Sequence, residues 1–127
     1  MLLFSMLVNA AELGALDPEQ LQALQRQQHA LVVDVRAPEE WRATGIIADS
    51  KTLQAFDGNG AFNGSKWLDA LQKLKSNPDQ PIILVCRSGH RSAVAGKYLT
   101  EQGVNNVYHL QNGIQSWIQS GHPVTQP

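Results

Sequence analysis

The sequence of 127 residues predicts an α/β fold, with a central, mostly parallel sheet flanked by helices on both faces. Two observations predict this class. Short, nearly continuous apolar runs recur along the chain and are typical of strands buried on both faces. Segments with apolar residues at helical spacing alternate with these runs, and a strand, a helix and a second strand in succession place the two strands parallel.

The first predicted elements are a helix and a strand. Asp17 is a favoured N-cap, Pro18 fits the first helical position, and Gln20 stands three residues after the cap. A helix therefore begins here, and its apolar face ends near His29. Residues 30–35 form a nearly continuous apolar run and are predicted to be a buried strand.

The middle of the chain is predicted to hold two helices on either side of a weaker region. A brief helix is expected over residues 38–42, and it should stop near Gly45. The pattern weakens over residues 46–64, where a short strand is predicted for residues 52–56. Apolar residues at helical spacing then predict a second long helix over residues 65–75, which the Asn-Pro-Asp sequence at 77–79 ends.

The last third of the chain repeats the alternation of strand and helix. Residues 81–85 are predicted to be a buried strand, and residues 91–102 a helix that Gly103 ends. A further strand over residues 104–110 and a short helix over residues 113–119 complete the pattern.

The N-terminal segment is apolar and allows two interpretations. Residues 1–11 are either a first strand or the remnant of a secretory signal, because Val8-Asn9-Ala10 has small residues at the positions that signal peptidase favours. No positively charged region precedes them, so we expect a cytoplasmic protein, with a periplasmic location as the alternative. One domain is expected over residues 1–127, with its core at about 16–123.

Composition and charge exclude several functional classes. The formal net charge of −1 gives no basis for nucleic-acid binding. A single cysteine excludes an intramolecular disulfide framework, and the four histidines lack metal-ligand spacing, so no metal and no cofactor are expected. No apolar stretch approaches about 20 residues, so stable membrane insertion is not expected.

The most informative residue is the chain's only cysteine, Cys86, which stands between the strand at 81–85 and the next helix. Ligands of parallel sheets bind beyond the carboxyl ends of the strands. The helix N-terminus and the flanking Arg87 and Arg91 favour the thiolate, which is the nucleophilic form. Converging backbone N–H groups would bind an anion here, and Gly89 permits a tight loop. Cys86 is therefore predicted to be a reactive thiol.

Four stretches, in this order, resemble a single-domain rhodanese over about residues 16–123. They are Asp34-Val35-Arg36, Pro38-Glu39-Glu40-Trp41, Cys86-Arg87-Ser88-Gly89-His90-Arg91-Ser92 and residues 107–117. The resemblance implies a rhodanese-like α/β fold and a sulfurtransferase. Such an enzyme moves sulfane sulfur from a donor such as thiosulfate to cyanide or a thiol, and here Cys86 would carry that sulfur as a persulfide.

The resemblance also assigns roles around Cys86. Backbone amides of the loop would cradle the outer sulfur of the persulfide, and its two arginines would attract an anionic donor, with bracing of the loop as the other role open to Arg91. Asp34 and Arg36 are expected to brace the site rather than react. The implied partners are a small-molecule sulfur donor and acceptor, with a protein acceptor also open. The predicted substrate-binding residues are Arg87, Ser88, Gly89, His90, Arg91 and Ser92.

Two stretches depart from the family pattern. Residues 45–50 lack the family's histidine and Pro-Gly turn, and Asn112-Gly113 replaces the usual pair of glycines before the last helix. Because Asn tolerates a positive φ better than most residues, the second turn is expected to survive.

Two other functions remain open at this point. A phosphatase or arsenate reductase of the Cys-x5-Arg kind uses a similar thiolate, but four residues rather than five separate Cys86 from Arg91, which makes a smaller cradle. A sulfur-relay or regulatory module that acts on a protein partner is the other alternative.

Overall fold

The structure is a computed structural model that describes residues 12–127. The two interpretations of residues 1–11, as a strand or as a signal remnant, lie outside the described residues. Helices and strands alternate along the described part of the chain. In order they are β1 (Leu13–Leu16), α1 (Pro18–Gln27), β2 (Leu31–Asp34), α2 (Pro38–Thr44), β3 (Ile46–Ile47), β4 (Lys51–Thr52), α3 (Gly64–Leu74), β5 (Ile82–Val85), α4 (His90–Glu101), β6 (Val107–Leu110), α5 (Gly113–Gln119) and β7 (Val124–Thr125).

The predicted parallel sheet is confirmed. Five strands pair in the order β1-β6-β5-β2-β4, and every pair is parallel, so β5 is the middle strand. Alternate residues of the central strands enter two separate cores, one under α3 and α4 and the other under α1 and α5. The helices therefore cover both faces of the sheet, as the sequence predicts.

Local signals placed several boundaries well. Asp17 caps α1: its Oδ1 accepts a hydrogen bond from the N–H of Gln20 at 2.8 Å, and the Gln20 side chain accepts the N–H of Asp17 at 2.9 Å. This reciprocal pair is the capping box. The second helix runs to Thr44 and stops where Gly45 adopts a φ of +82°, as the sequence predicts.

Other boundaries were wrong for identifiable reasons. The strand predicted for residues 52–56 is instead β4 (Lys51–Thr52), and beyond it only Phe56 forms an isolated bridge, to Phe62. The strand predicted to start at residue 104 starts at Val107, because the chain first closes α4 through Val104 N–H and Leu99 O at 3.0 Å and then turns at Asn106, where φ is +59°. Among residues 12–127, no helix is long and apolar enough to cross a membrane.

Candidate active site

Cys86 directly follows β5, the middle strand, and lies at the carboxyl edge of the sheet. Its side chain is only 1% exposed. The Sγ atom accepts hydrogen bonds from the backbone N–H of Gly89 at 3.1 Å and of Ser92 at 3.3 Å. Both amides belong to the start of α4, so partial positive charge of the helix N-terminus is directed at the sulfur.

The loop reaches this geometry because of one glycine. Gly89 is the residue before α4 and has a φ of +110°, a left-handed conformation that few other residues adopt. Its Cβ position is also blocked, since an added carbon would collide with the carbonyl of Gln111. The amides of His90 and Arg91, in the first turn of α4, have no intrahelical acceptor and remain available for an anion.

The first residues of α5 form hydrogen bonds with the backbone of the loop that begins at Cys86. The N–H of Ile114 donates to the carbonyl of Cys86 at 2.8 Å, and the N–H of Gln115 donates to that of Arg87 at 3.2 Å. Gly113 packs so closely on the backbone of Arg87 that a Cβ would collide with it. The positive φ at this turn, +67°, lies on Gly113, while Asn112 has a φ of −108°. The turn thus survives the Asn112 substitution without a left-handed asparagine.

Arg91 is held by a carboxylate. Its Nη1 and Nη2 atoms donate to the two Glu40 oxygens at 2.7 Å and 2.8 Å, which is a bidentate pair. This hydrogen bonding lowers the pKa of Glu40 to about 2, and the same pairing raises the pKa of Arg91. The pair ties α4 to α2, across 51 residues of sequence. A role in binding the donor therefore stays a prediction for Arg91, whose guanidinium already braces the loop.

Asp34 and Arg36 form a buried ion pair, each 1% exposed, with Arg36 Nη2 at 2.9 Å from Asp34 Oδ2. Asp34 also accepts the indole N–H of Trp41 at 3.1 Å, and Arg36 donates to Thr44 Oγ1 at 3.0 Å and to the carbonyl of Gly45 at 3.0 Å. The pair therefore fastens the middle and the C-terminal end of α2 to the end of β2. Since α2 carries Glu40 to Arg91, these residues act on the loop indirectly.

The remaining predicted residues lie at the surface. Arg87, Ser88 and His90 are exposed. Arg87 borders a cavity of about 310 Å³ between α2 and α5, whose floor is largely apolar. The other residues that line it are Arg36, Glu40, Ala43, Thr44, Ile114, Gln115 and Ile118.

Sequence reasoning missed two site residues, Glu40 and His109. Glu40 was noted only as part of the Pro-Glu-Glu-Trp stretch, and His109 only as one of four scattered histidines. His109 Nδ1 lies 2.9 Å from Ser92 Oγ, directly behind Cys86, and burial lowers the pKa of His109. No signal within a single sequence could have found this contact, because it depends on how α4 lies against β6. Within the described residues no cluster of three potential metal ligands occurs.

Comparison with known proteins identifies the family. The model of the rhodanese-like domain matches residues 17–120. This chain belongs to the rhodanese-like domain family. A sulfurtransferase from Allochromatium vinosum is 33% identical over 113 residues, which is 88% of this chain and 94% of the relative. The thiosulfate sulfurtransferase GlpE from Pseudomonas fluorescens Pf-5 is 35% identical over 107 residues, which is 84% of this chain and 86% of the relative.

Solved structures agree with this assignment. A rhodanese-related protein from Thermoplasma volcanium matches with a TM-score of 0.70 at 28% identity, covering 90% of this chain and 99% of its own. The polysulfide-sulfur transferase homodimer from Wolinella succinogenes matches with a TM-score of 0.68 at 28% identity, covering 89% and 78%. The rhodanese resemblance predicted from the motifs is confirmed, and sulfurtransferase function in general is supported.

Proposed function

We propose that this rhodanese transfers sulfane sulfur from an anionic donor such as thiosulfate to a thiophilic acceptor, through a persulfide on Cys86. The observation that supports it best is the environment of Sγ, which receives two backbone N–H groups at the N-terminus of α4. The sulfur is thus held where a helix N-terminus binds anions, and thiolate is the attacking species.

The reaction divides into two displacement steps. In the first, the Cys86 thiolate attacks the outer sulfur of thiosulfate, the new S–S bond forms, the old one breaks, and sulfite leaves with the electron pair. In the second, cyanide or a thiolate attacks the outer sulfur of the persulfide, and the Cys86 thiolate leaves. Each step conserves charge, and neither needs a general acid, because sulfite and thiolate are stable leaving groups. Two half-reactions with a covalent intermediate give ping-pong kinetics.

Different backbone amides of the loop are proposed to bind the two sulfur atoms of the persulfide. Those of Gly89 and Ser92 contact Sγ itself. The amides of His90 and Arg91 have no intrahelical acceptor and are the proposed donors to the outer sulfur. The exposed guanidinium of Arg87, at the rim of the cavity, is the proposed attractor of the donor anion.

A Cys-based phosphatase is a poorer fit to the same site. Such an enzyme needs an arginine free to clasp a phosphoryl group, whereas Arg91 is bound by both oxygens of Glu40. The loop is also one residue short of the Cys-x5-Arg pattern.

Steady-state kinetics test the proposal. The protein should form thiocyanate from thiosulfate and cyanide with parallel double-reciprocal lines, and Cys86→Ser should abolish the reaction. It should release no phosphate from an aryl phosphate. Phosphate release without thiocyanate formation would overturn the proposal. A sulfur-relay module would instead transfer sulfur from Cys86 much faster to a protein thiol than to cyanide or small thiols.

A further inference from the structure

Behind the reactive cysteine lies a continuous chain of three polar side chains. Cys86 Sγ is 3.4 Å from Ser92 Oγ, and Ser92 Oγ is 2.9 Å from His109 Nδ1. Cys86 and Ser92 are 1% and 0% exposed. The two displacement steps of sulfur transfer use neither Ser92 Oγ nor His109, so the chain has no function assigned yet.

His109 lies on β6, between β1 and the middle strand β5, and is almost completely buried. It lies level with Ala15 on β1 and with Leu84 on β5, neither of which is charged. The residue is 8% exposed, and burial lowers its pKa, which keeps the imidazole neutral near pH 7. Within the described residues, no buried side-chain nitrogen lacks a partner, and the hydrogen bond of His109 is made by Nδ1. In the proposal below, Nε2 is the nitrogen that exchanges its proton with water.

The hydroxyl of Ser92 has three hydrogen-bonding neighbours but only one hydrogen to donate. It carries one hydrogen and two lone pairs. Its neighbours are Sγ, Nδ1 and the carbonyl of Gly89 at 3.2 Å. When Nδ1 carries no proton, it draws the hydroxyl hydrogen to itself, and Sγ can only donate to Ser92. When Nδ1 carries a proton, it donates to Oγ, and the hydroxyl hydrogen is free to point at an anionic Sγ.

From this geometry we propose that His109 is a positioning residue that acts on Cys86 through Ser92, by carrying the thiol proton to solvent and fixing the direction of the Ser92 hydroxyl. The proposal rests on the role of Cys86 as nucleophile in the proposed function. It concerns how a fully buried thiol ionises, which precedes any contact with a sulfur donor.

The proton transfers balance without any further reactant than water. The Cys86 thiol proton passes to Ser92 Oγ, the hydroxyl proton passes to His109 Nδ1, and the Nε2 proton leaves to water. The products are a thiolate and a neutral imidazole with its proton on Nδ1. In that state Nδ1–H donates to Ser92, and Ser92 donates to the sulfur anion. Ionisation of Cys86 thus switches the tautomer of His109.

The charged groups near the Cys86 thiol are held in ion pairs, so they stay in place when the tautomer of His109 changes. Arg91 on α4 interacts electrostatically with Cys86 and with Asp34 at the end of β2. Its guanidinium is bound by Glu40 on α2, and Asp34 is bound by Arg36. These fixed pairs set a constant field at Sγ, whereas the hydrogen-bond direction at Ser92 varies with His109.

Two substitutions of His109 distinguish a hydrogen-bonding role from a packing role, because one keeps the volume and the other keeps the N–H donor. His109→Leu keeps most of the side-chain volume but removes both nitrogens, while His109→Asn leaves a void but keeps an N–H donor at the position of Nδ1. The readout is the rate at which Cys86 is alkylated by iodoacetamide as a function of pH, which reports thiolate without any sulfur transfer. His29→Asn, at an exposed histidine after the end of α1, is the control.

We expect alkylation of His109→Leu at neutral pH to be slower by about fivefold, the factor that one hydrogen bond of ordinary strength supplies. His109→Asn should be within about twofold of the unaltered protein, because alkylation reports how well the thiolate is stabilised, not how its proton leaves, and the donor to Ser92 is retained. Equal rates for His109→Leu and the unaltered protein, or a larger loss in His109→Asn than in His109→Leu, would overturn the proposal.

A measurement on the unaltered chain covers the case in which a variant fails to fold. NMR shifts of the imidazole nitrogens distinguish the two tautomers. The proton of His109 should move from Nε2 to Nδ1 as the pH rises through the range in which Cys86 becomes alkylatable, and should not move in Cys86→Ala. A tautomer that stays the same throughout would overturn the proposal. Because neither readout involves a sulfur donor, its failure is distinct from failure of the sulfurtransferase proposal.

Discussion

Replacing Glu40 with glutamine tests how the loop is held. Glu40→Gln keeps the size of the side chain and an oxygen for the N–H of Ala37, which Glu40 Oε1 accepts at 3.2 Å. It removes the negative charge that the Arg91 guanidinium contacts at 2.7 Å and 2.8 Å. The perturbation is therefore confined to the bidentate ion pair between α2 and α4.

The size of the effect follows from the pKa of Glu40. Its fall from 4.5 to about 2 would correspond to about 3 kcal/mol if the pair were shielded from water. Both side chains are over a quarter exposed, at 29% for Arg91 and 28% for Glu40, so solvent screening reduces the contribution to about 1–2 kcal/mol.

Because the pKa of Glu40 is lowered in the folded state, the stabilisation by this pair depends on pH in a definite direction. Because the folded-state pKa of Glu40 lies below the ordinary value of 4.5, the pair stabilises the fold fully above that pH and loses its effect as the pH falls toward about 2. Glu40→Gln should therefore lower the free energy of unfolding by about 1–2 kcal/mol at neutral pH and by almost nothing near pH 2.

Urea unfolding at a series of pH values measures this difference directly. Glu39→Gln is the matched control, since Glu39 is exposed on the same helix and takes part in no ion pair within the described residues. A loss of stability that is the same at neutral and acidic pH, or that Glu39→Gln reproduces, would refute the assignment of the stabilisation to the Glu40–Arg91 pair.

Three further substitutions test other parts of the site. Gly113→Ala would force a Cβ into the backbone of Arg87 and should lower the free energy of unfolding in urea by about 3 kcal/mol or more. Gly121 has a similar φ but lies in open space, so Gly121→Ala should lower it by only about 1–2 kcal/mol. Asp34→Asn leaves the buried Arg36 charge without its partner and should cost about 3 kcal/mol by the same assay; a loss below 1 kcal/mol would contradict the buried pairing. Arg87→Ala should raise the KM for thiosulfate by about fivefold at low salt and less at high salt, with unfolding unchanged, and a KM that does not respond would remove Arg87 from donor binding.

Local patterns in the sequence were sufficient for the framework of this fold. The capping residues Asp17 and Gln20 placed the start of α1, and the apolar run that ends at Val85 placed β5 and, with it, Cys86. These features depend on neighbours within a few residues, and such neighbours are visible in a single sequence. The two-residue strands β3 and β7 gave no signal, because a period of two cannot be recognised over two residues.

The support of the active site was not predictable in the same way. Arg91 was expected either to bind the donor or to brace the loop, but its partner Glu40, 51 residues away, was not foreseen. His109 was dismissed because its partner Ser92 is 17 residues distant and on another element. Both contacts depend on how α2, α4 and β6 pack in three dimensions. Chemistry carried by one loop can be read from its sequence, while the residues that position this loop come from other elements.

The central proposed property of this protein is that Cys86 carries sulfur. Intact-mass spectrometry after incubation with thiosulfate, or with a polysulfide as a second donor, measures this directly. The chain should gain the mass of one sulfur atom, lose it again on treatment with a reducing thiol, and gain nothing when Cys86 is replaced by serine. A chain that gains no sulfur from either donor, or a Cys86→Ser variant that gains as much as the unaltered protein, would contradict the account.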